Sequence, residues 1–112
     1  MIHASPFEVR TEVQEESARL RVSGELDIAT APRLEDAVAG VLTQGVSRVL
    51  IDLSGVTFVD SSGLRLCIVL STRAPDQGWQ LALIRPTEPS ISVFRLTGAE
   101  QNLPFVEDPG SP

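Results

Sequence analysis

Two segments near the start of the chain alternate apolar and polar residues with a period of two, the pattern of half-buried strands. They cover residues 7–13 and 18–26, and the polar stretch 14–17 between them predicts a hairpin turn. From Thr30 onward, apolar residues recur at spacings of three and four, which predicts an amphipathic helix with Thr30 as its N-cap. Gly45 stands where a helix end often needs a left-handed residue.

The middle of the chain predicts a buried strand and a buried helix. Residues 48–53 form a nearly continuous apolar run, typical of a central parallel strand covered on both faces. A helix is predicted from about 61 to 73, ended by Pro75 and Gly78. Its stretch 64–70 is apolar nearly all round, so we expect it to be covered on more than one side.

The last third of the chain predicts a strand over residues 79–84 and a final strand near 103–106. Between them, Thr87 and Pro89 predict the start of a third helix, which carries Ile91, Phe94 and Leu96 and ends before Gly98. The order of elements predicts an α/β fold, a mixed central sheet of four to five strands with three or more helices packed on it. Functional residues of such sheets gather past the carboxyl ends of the strands, here in loops 24–30 and 54–63.

Composition narrows the possible functions. The 112 residues carry 15 acidic and 9 basic side chains, a net charge of −6, so we expect no direct nucleic-acid binding. One Cys and one His predict neither a disulfide nor a metal site, and favour a reducing, cytoplasmic location. The longest apolar run, 66–70, is much shorter than a membrane span.

The length predicts a single domain over residues 1–112, with an ordered core from about 7 to 106 and a flexible tail over 107–112. An acidic surface without an obvious apolar patch favours a monomer. No glycine-rich phosphate cradle is present, and we expect no cofactor.

Residues 59–63 join the central strand to the buried helix, and unpaired amides at a helix start attract anions. In one interpretation Asp60 or Ser62 is only an N-cap, and Gly63 only permits close packing. In the other, one serine accepts a phosphate, which adds about −1.5 to −2 charge. Catalysis is not expected, because a nucleophilic Ser61 needs a general base and the only histidine is His3.

Residues 24–27 place two carboxylates close to the first helix. Asp27 is either a helix cap or, with Glu25, one of a pair of acids for proton transfer. A solvated Glu25 beside a capping Asp27 is the commoner arrangement.

Four segments, in order, resemble the STAS domains of the bacterial anti-sigma factor antagonist family. They read GELD at 24–27, with Thr30 after it, VLIDLSGV at 49–56, FVDSSGL at 58–64 and FRLTG at 94–98. The resemblance spans about residues 7–106, nearly the whole chain, and the segment ending at 64 is its most specific part.

The resemblance implies a partner switch in sigma factor and transcription regulation. The unphosphorylated antagonist binds an anti-sigma factor, a serine kinase, and so releases a sigma factor. Phosphorylation of the first serine after the aspartate, here Ser61, ends that binding, and a serine phosphatase restores it. The residues implied in kinase contact are Asp27, Asp60, Ser62, Gly63 and Leu64.

A second hypothesis is a STAS accessory subunit of a stress-signalling or lipid-transport complex, which holds a stable partner without switching. A purely structural subunit has no need of an acceptor hydroxyl at Ser61. A small serine enzyme is a third hypothesis, disfavoured by the missing base.

Overall fold

The computed structural model describes residues 6–110, and within them the chain forms five strands and four helices. In chain order these are β1 (Glu8–Gln14), β2 (Ser17–Leu26), α1 (Ala31–Thr43), β3 (Arg48–Val59), α2 (Ser61–Gln77), β4 (Gln80–Ile84), α3 (Ile91–Leu96), α4 (Ala99–Asn102) and β5 (Phe105–Val106). No helix in this part of the chain is long and apolar enough to cross a membrane.

The strands form one sheet in the order β1-β2-β3-β4-β5. β1 pairs with β2 in the antiparallel sense, and every later pair is parallel. The predicted mixed α/β sheet is therefore confirmed. Because each parallel strand is added on the same side of the previous one, right-handed crossovers place the helices on one face of the sheet. α1 contacts β2, α2 contacts β3 and β4, and the two helices contact each other.

The core lies between this helical layer and the sheet. Leu20, Ile51 and Leu83 point from three neighbouring strands into it and are fully buried. Burial of each such side chain stabilises the fold by about 1.5–3 kcal/mol. The side chains one position away, such as Arg19 and Leu50, point to the opposite side of the sheet, because strand residues alternate between faces. We call that side the helix-free face.

β3 is longer than predicted. It continues to Val59, so residues 54–59 of the predicted loop are strand and pair with the end of β2. The pairing shifts register between Arg21 and Ser23 and again between Gly24 and Glu25. Two irregularities of this kind break the period of two that the sequence pattern relies on, which is why the continuation was not predicted.

α2 differs from the prediction at its end and on its outer side. It runs to Gln77, and Pro75 lies inside its last turn rather than ending it. Gly78, in the left-handed conformation (φ 81°), closes the helix, as predicted. The outer side is not covered, because Ile68 is exposed and shares one stripe with Arg65.

The C-terminal part holds a short extra helix, α4, that was not predicted. In α3, Phe94 is buried against the ring of Phe105, whereas Leu96, two residues on, turns away from the core and is 87% exposed. The final strand is present as β5. The predicted tail is described only as far as Gly110, and there Asp108 pairs with Arg19.

Candidate functional site

Two of the predicted loops meet at the carboxyl ends of β2 and β3. Leu26 and Val59 are paired across these strands, and the amide of Asp60 donates to the carbonyl oxygen of Leu26 at 3.2 Å. The segments 27–30 and 60–64 therefore begin side by side. We call them together the carboxyl-end site.

Asp60 holds the carboxyl-end site together. Its Oδ1 accepts from the amides of Ser62 (2.8 Å) and Gly63 (3.2 Å), and its Oδ2 accepts from the amide of Ile28 at 3.3 Å. Its backbone is extended, as at a helix N-cap. Of the two alternatives that the sequence left open, the cap of α2 is Asp60 and not Ser62.

Ser61 and Ser62 occupy different environments in the first turn of α2. Ser61 is exposed, and its hydroxyl makes no hydrogen bond to any residue from 6 to 110. Ser62 is half-buried and contributes its amide, not its hydroxyl, to the cap. Ser61 is therefore the more accessible of the two hydroxyls.

The expectation of unpaired amides at this helix start is wrong for Ser62 and Gly63, the second and third residues of α2. The carboxylate of Asp60 already takes the amides of Ser62 and Gly63, and its carbonyl oxygen accepts from Leu64 at 3.1 Å. An anion arriving here therefore meets a carboxylate that already neutralises these donors.

Gly63 and Leu64 are buried. A Cβ atom on Gly63 would lie 2.7 Å from the carbonyl oxygen of Leu26, so no larger residue fits without a shift. The close packing proposed for Gly63 is confirmed. The absent side chain lets the start of α2 press against the end of β2, and this contact sets the position of Ser61.

Asp27 organises the other loop of the site. Its Oδ1 accepts from the amides of Ala29 (3.0 Å) and Thr30 (3.1 Å). The hydroxyl of Thr30 bonds no amide of α1, because it accepts from Asp27 N and donates to the carbonyl oxygen of Glu25 at 2.7 Å. Thr30 is the N-cap residue of α1, as predicted, but its hydroxyl makes no capping bond, and Asp27 supplies the carboxylate at this helix start. Glu25 is exposed.

Three exposed apolar side chains flank the site, and the sequence pattern did not single them out. Ile28, between the two capping aspartates, is 76% exposed, and Phe58 and Ile68 are about half exposed. Single exposed apolar side chains are normal on a protein surface, and larger contiguous patches mark contact sites. Ile28 is tied to the site directly, because its amide donates to Asp60. The sequence did contain one signal that could have identified this exposure, because Ile28 is a large apolar residue in the short segment between Asp27 and Thr30.

Arg65 and Cys67 on α2 and Trp79 directly after it take no part in the hydrogen bonds described above for the carboxyl-end site. Arg65 is exposed, one turn after Ser61, and has no ion-pair partner within residues 6–110. Cys67 is fully buried, and burial raises the pKa of its thiol to about 12, so it is an inert core thiol. Trp79 is buried and donates from Nε1 to Gln77. No cluster of three potential metal ligands occurs in the described part of the chain.

Comparisons with known proteins agree with this architecture. The family model described as "Mlab, STAS domain" matches residues 9–107. An anti-sigma-B factor antagonist of Staphylococcus aureus is 26% identical over 90 residues, which cover 80% of this chain and 83% of that protein. The corresponding protein of Staphylococcus epidermidis is 27% identical with the same coverage.

Solved structures show the same fold. The crystal structure of an anti-sigma factor antagonist from Mycobacterium paratuberculosis superposes with a TM-score of 0.79 at 25% identity, covering 96% of this chain and 92% of that one. Unphosphorylated SpoIIAA, also an anti-sigma factor antagonist, superposes with a TM-score of 0.71 at 20% identity, covering 92% and 88%.

Proposed function

This chain belongs to the STAS domain family, and from that premise we propose that it is an anti-sigma factor antagonist controlled by phosphorylation. In its unphosphorylated form it binds an anti-sigma factor serine kinase, so that a sigma factor is released. Phosphorylation of Ser61 ends the binding, and a serine phosphatase restores it. The chain itself performs no catalysis in this scheme.

The observation that carries the proposal is the exposed, unbonded hydroxyl of Ser61. A protein kinase must reach the acceptor oxygen, and within residues 6–110 no hydrogen bond has to be broken to present it. Asp60 fixes the backbone on which Ser61 stands through its bonds to the next two amides. The acceptor is therefore accessible and held in one position.

The surroundings of Ser61 explain how a phosphate would act. It would add about −1.5 to −2 charge next to Asp60, whose carboxylate already occupies the neighbouring amides. The dianion would therefore point outward into the contact surface, with Arg65 as the nearest cation on the same stripe of α2. A loss of about 3 kcal/mol at the interface weakens binding more than a hundredfold.

The proposed contact surface combines charge with apolar area. Asp27 and Asp60 supply the acidic groups, and Ile28 lies between them. The buried Gly63 and Leu64 support this surface from beneath, and Ser62 lies at its margin. A kinase surface with complementary cations and an apolar pocket would fit the unphosphorylated form.

The test is phosphorylation in vitro. The protein is incubated with ATP and, in turn, each anti-sigma factor kinase of the same genome, and intact mass with fragment mapping locates the phosphate. We expect one phosphate, on Ser61, which Ser61→Ala abolishes and the matched variant Ser62→Ala retains. Phosphate on another residue, or none with any kinase, would contradict the proposal.

Binding affinities test the switch itself. Ser61→Asp should weaken kinase binding at least tenfold because it adds negative charge, whereas Ser61→Asn, of similar size and neutral, should bind like Ser61→Ala. Calorimetric titration measures the three affinities. Equal affinities for Ser61→Asp and Ser61→Asn would rule out the electrostatic account.

A second candidate is a STAS accessory subunit that holds a stable partner without switching. The matching family model is described as Mlab rather than as an antagonist, and this description favours the accessory subunit as the second candidate. Purification of the protein from its own cells distinguishes the two. A tight complex that is unaffected by ATP, with unphosphorylated Ser61, would favour the subunit.

A further inference from the structure

The helix-free face carries a cavity of about 600 Å³. Its lining begins at the amino ends of the parallel strands with Ser17, Arg48 and Gln80, the first residues of β2, β3 and β4, and extends across the sheet to Val106 in β5. The carboxyl-end site lies at the other end of β2 and β3. Cavities of about 300–1,000 Å³ are the usual size of small-molecule sites. This cavity has no part in the proposed switch.

One half of the cavity is apolar. Leu50, Ala82 and Val106 line it from β3, β4 and β5. Leu50 and Ala82 are half-buried, and Val106 is exposed. No helix within residues 6–110 packs on this face, so these side chains form an apolar floor, and Pro109 and Gly110 of the C-terminal segment border the cavity.

The other half of the cavity is lined by arginines. Arg19 and Arg21 are already paired, with Asp52 at 2.8 Å and with Glu12 at 2.7 Å. Arg48 differs, because only its Nε is engaged, with the hydroxyl of Ser17 at 3.0 Å. Within residues 6–110 the outer nitrogens of Arg48 face no carboxylate, in a chain whose net charge is −6.

We propose that this cavity binds an amphipathic organic monoanion. Its carboxylate or sulfonate group would accept hydrogen bonds from the outer nitrogens of Arg48, a geometry that suits the planar guanidinium. Its apolar body would cover Leu50, Ala82 and Val106. A polyphosphate suits the cavity less well, because Glu12 and Asp52 lie on the same face and would repel additional negative charge.

The probe for the test is 8-anilinonaphthalene-1-sulfonate, a fluorescent molecule with an apolar body and one sulfonate. We expect saturable binding at one site, displaced by decanoate. Arg48→Gln removes the cation, and Ala82→Trp fills the apolar half with an indole ring. Each should weaken binding at least tenfold. Arg65→Gln is the matched control, because Arg65, like Arg48, is exposed and has no carboxylate partner within residues 6–110, but it lies on α2.

Melting curves show first that the variants are folded. If Arg48→Gln is unfolded, Ala82→Trp and decanoate competition still decide the question. Unchanged binding in both cavity variants would overturn the proposal and would place the probe elsewhere, for example on Ile28 and Phe58. Absence of saturable binding, or an equal loss in Arg65→Gln, would overturn it as well.

Discussion

Asp52, in the middle of β3, and Asp60, directly after it, are both aspartates of one segment, but they are held in different ways. Asp52 points to the helix-free face and is only 4% exposed. It bonds the guanidinium of Arg19 at 2.8 Å and the hydroxyl of Ser54 at 2.6 Å. Asp60 is half-buried and accepts from backbone amides alone.

The different environments of the two aspartates predict different roles, with Asp52 acting in the stability of the fold and Asp60 in the proposed function. Asp52 is buried and Arg19 is half-buried, so the carboxylate of Asp52 depends on its bonds to Arg19 and Ser54 in place of water. Asp60 needs no cation, because the amides at the start of α2 satisfy it. The carboxyl-end site is therefore held by hydrogen bonds to backbone amides and not by an ion pair. We expect substitutions at Asp52 to affect folding, and those around Asp60 to affect mainly the position of the acceptor.

The largest expected effect comes from Asp52→Ala. The variant leaves Arg19, whose side chain is 13% exposed, with the exposed Asp108 and the carbonyl oxygen of Gly110 as partners. Loss of a hydrogen bond between charged groups in a part-buried position costs about 1.5–3 kcal/mol. Urea denaturation measures the loss in the free energy of unfolding.

Glu12→Ala is the control, since Glu12 forms an exposed pair with Arg21. Pairs of that kind contribute about 0–1 kcal/mol. If Asp52→Ala costs no more than Glu12→Ala, the contrast between the two aspartates does not hold.

Asp60→Ala should have an intermediate effect. It removes the acceptor for the amides of Ser62 and Gly63, and loss of an N-cap costs about 0.5–2 kcal/mol. Asp60→Asn keeps an oxygen acceptor and should lose less. Urea denaturation of both variants checks the order, and an equal loss would mean that charge, rather than hydrogen bonding, holds the loop.

Acidification should lower the free energy of unfolding less than substitution of Asp52 does, because a protonated carboxyl group can still form a hydrogen bond with Ser54. Burial alone would raise the pKa of Asp52, but the hydrogen bonds from Ser54 and Arg19 outweigh it and hold the pKa below its ordinary value. Because the pKa of Asp52 is lower in the folded state, its ionised carboxylate stabilises the fold at pH values above the unfolded-state pKa of about 3.9. This stabilisation is lost as the pH falls from there through the folded-state pKa.

The stability difference between the wild type and Asp52→Asn should therefore narrow below about pH 4. Denaturation curves of the two proteins at several pH values between neutrality and pH 3 measure it. A difference that stays constant over this range would contradict the lowered pKa.

The smallest expected effect is that of Ser62→Ala. The hydroxyl of Ser62 takes no part in the cap, so the free energy of unfolding should change by less than about 0.5 kcal/mol. Thermal unfolding compares it with Ser61→Ala, which should be equally harmless. A loss of about 1 kcal/mol in the free energy of unfolding for Ser62→Ala alone would mean that Ser62, and not Asp60, caps α2.

Most of the fold could be predicted, because the spacing of apolar residues along the chain follows from which side chains are buried. Residues 48–53 and 79–84 are strands of the sheet, as their apolar runs indicate. The continuation of β3 to Val59 could not be predicted, since two register shifts interrupt the alternation. Ile68 is exposed because no element formed by residues 6–110 covers that side of α2, and the sequence of α2 alone does not encode this.

The site was predictable as a segment but not in its hydrogen bonds. Asp60 and Ser62 are both good N-cap residue types, and only the backbone angles decide between them. The pair of Asp52 with Arg19 was missed, although a signal existed. An aspartate inside an apolar strand requires a partner, and Arg19 alternates with buried residues in the neighbouring strand.

The strand order has a further consequence for aggregation. β1 and β5 are the two edges of the sheet, where unpaired backbone groups invite another chain to add a strand. β1 carries Glu8, Arg10 and Glu12 at alternate positions, and β5 is only two residues long. Charged or very short edge strands oppose such addition. Partners should therefore meet this protein through side chains and loops, and not by extending its sheet.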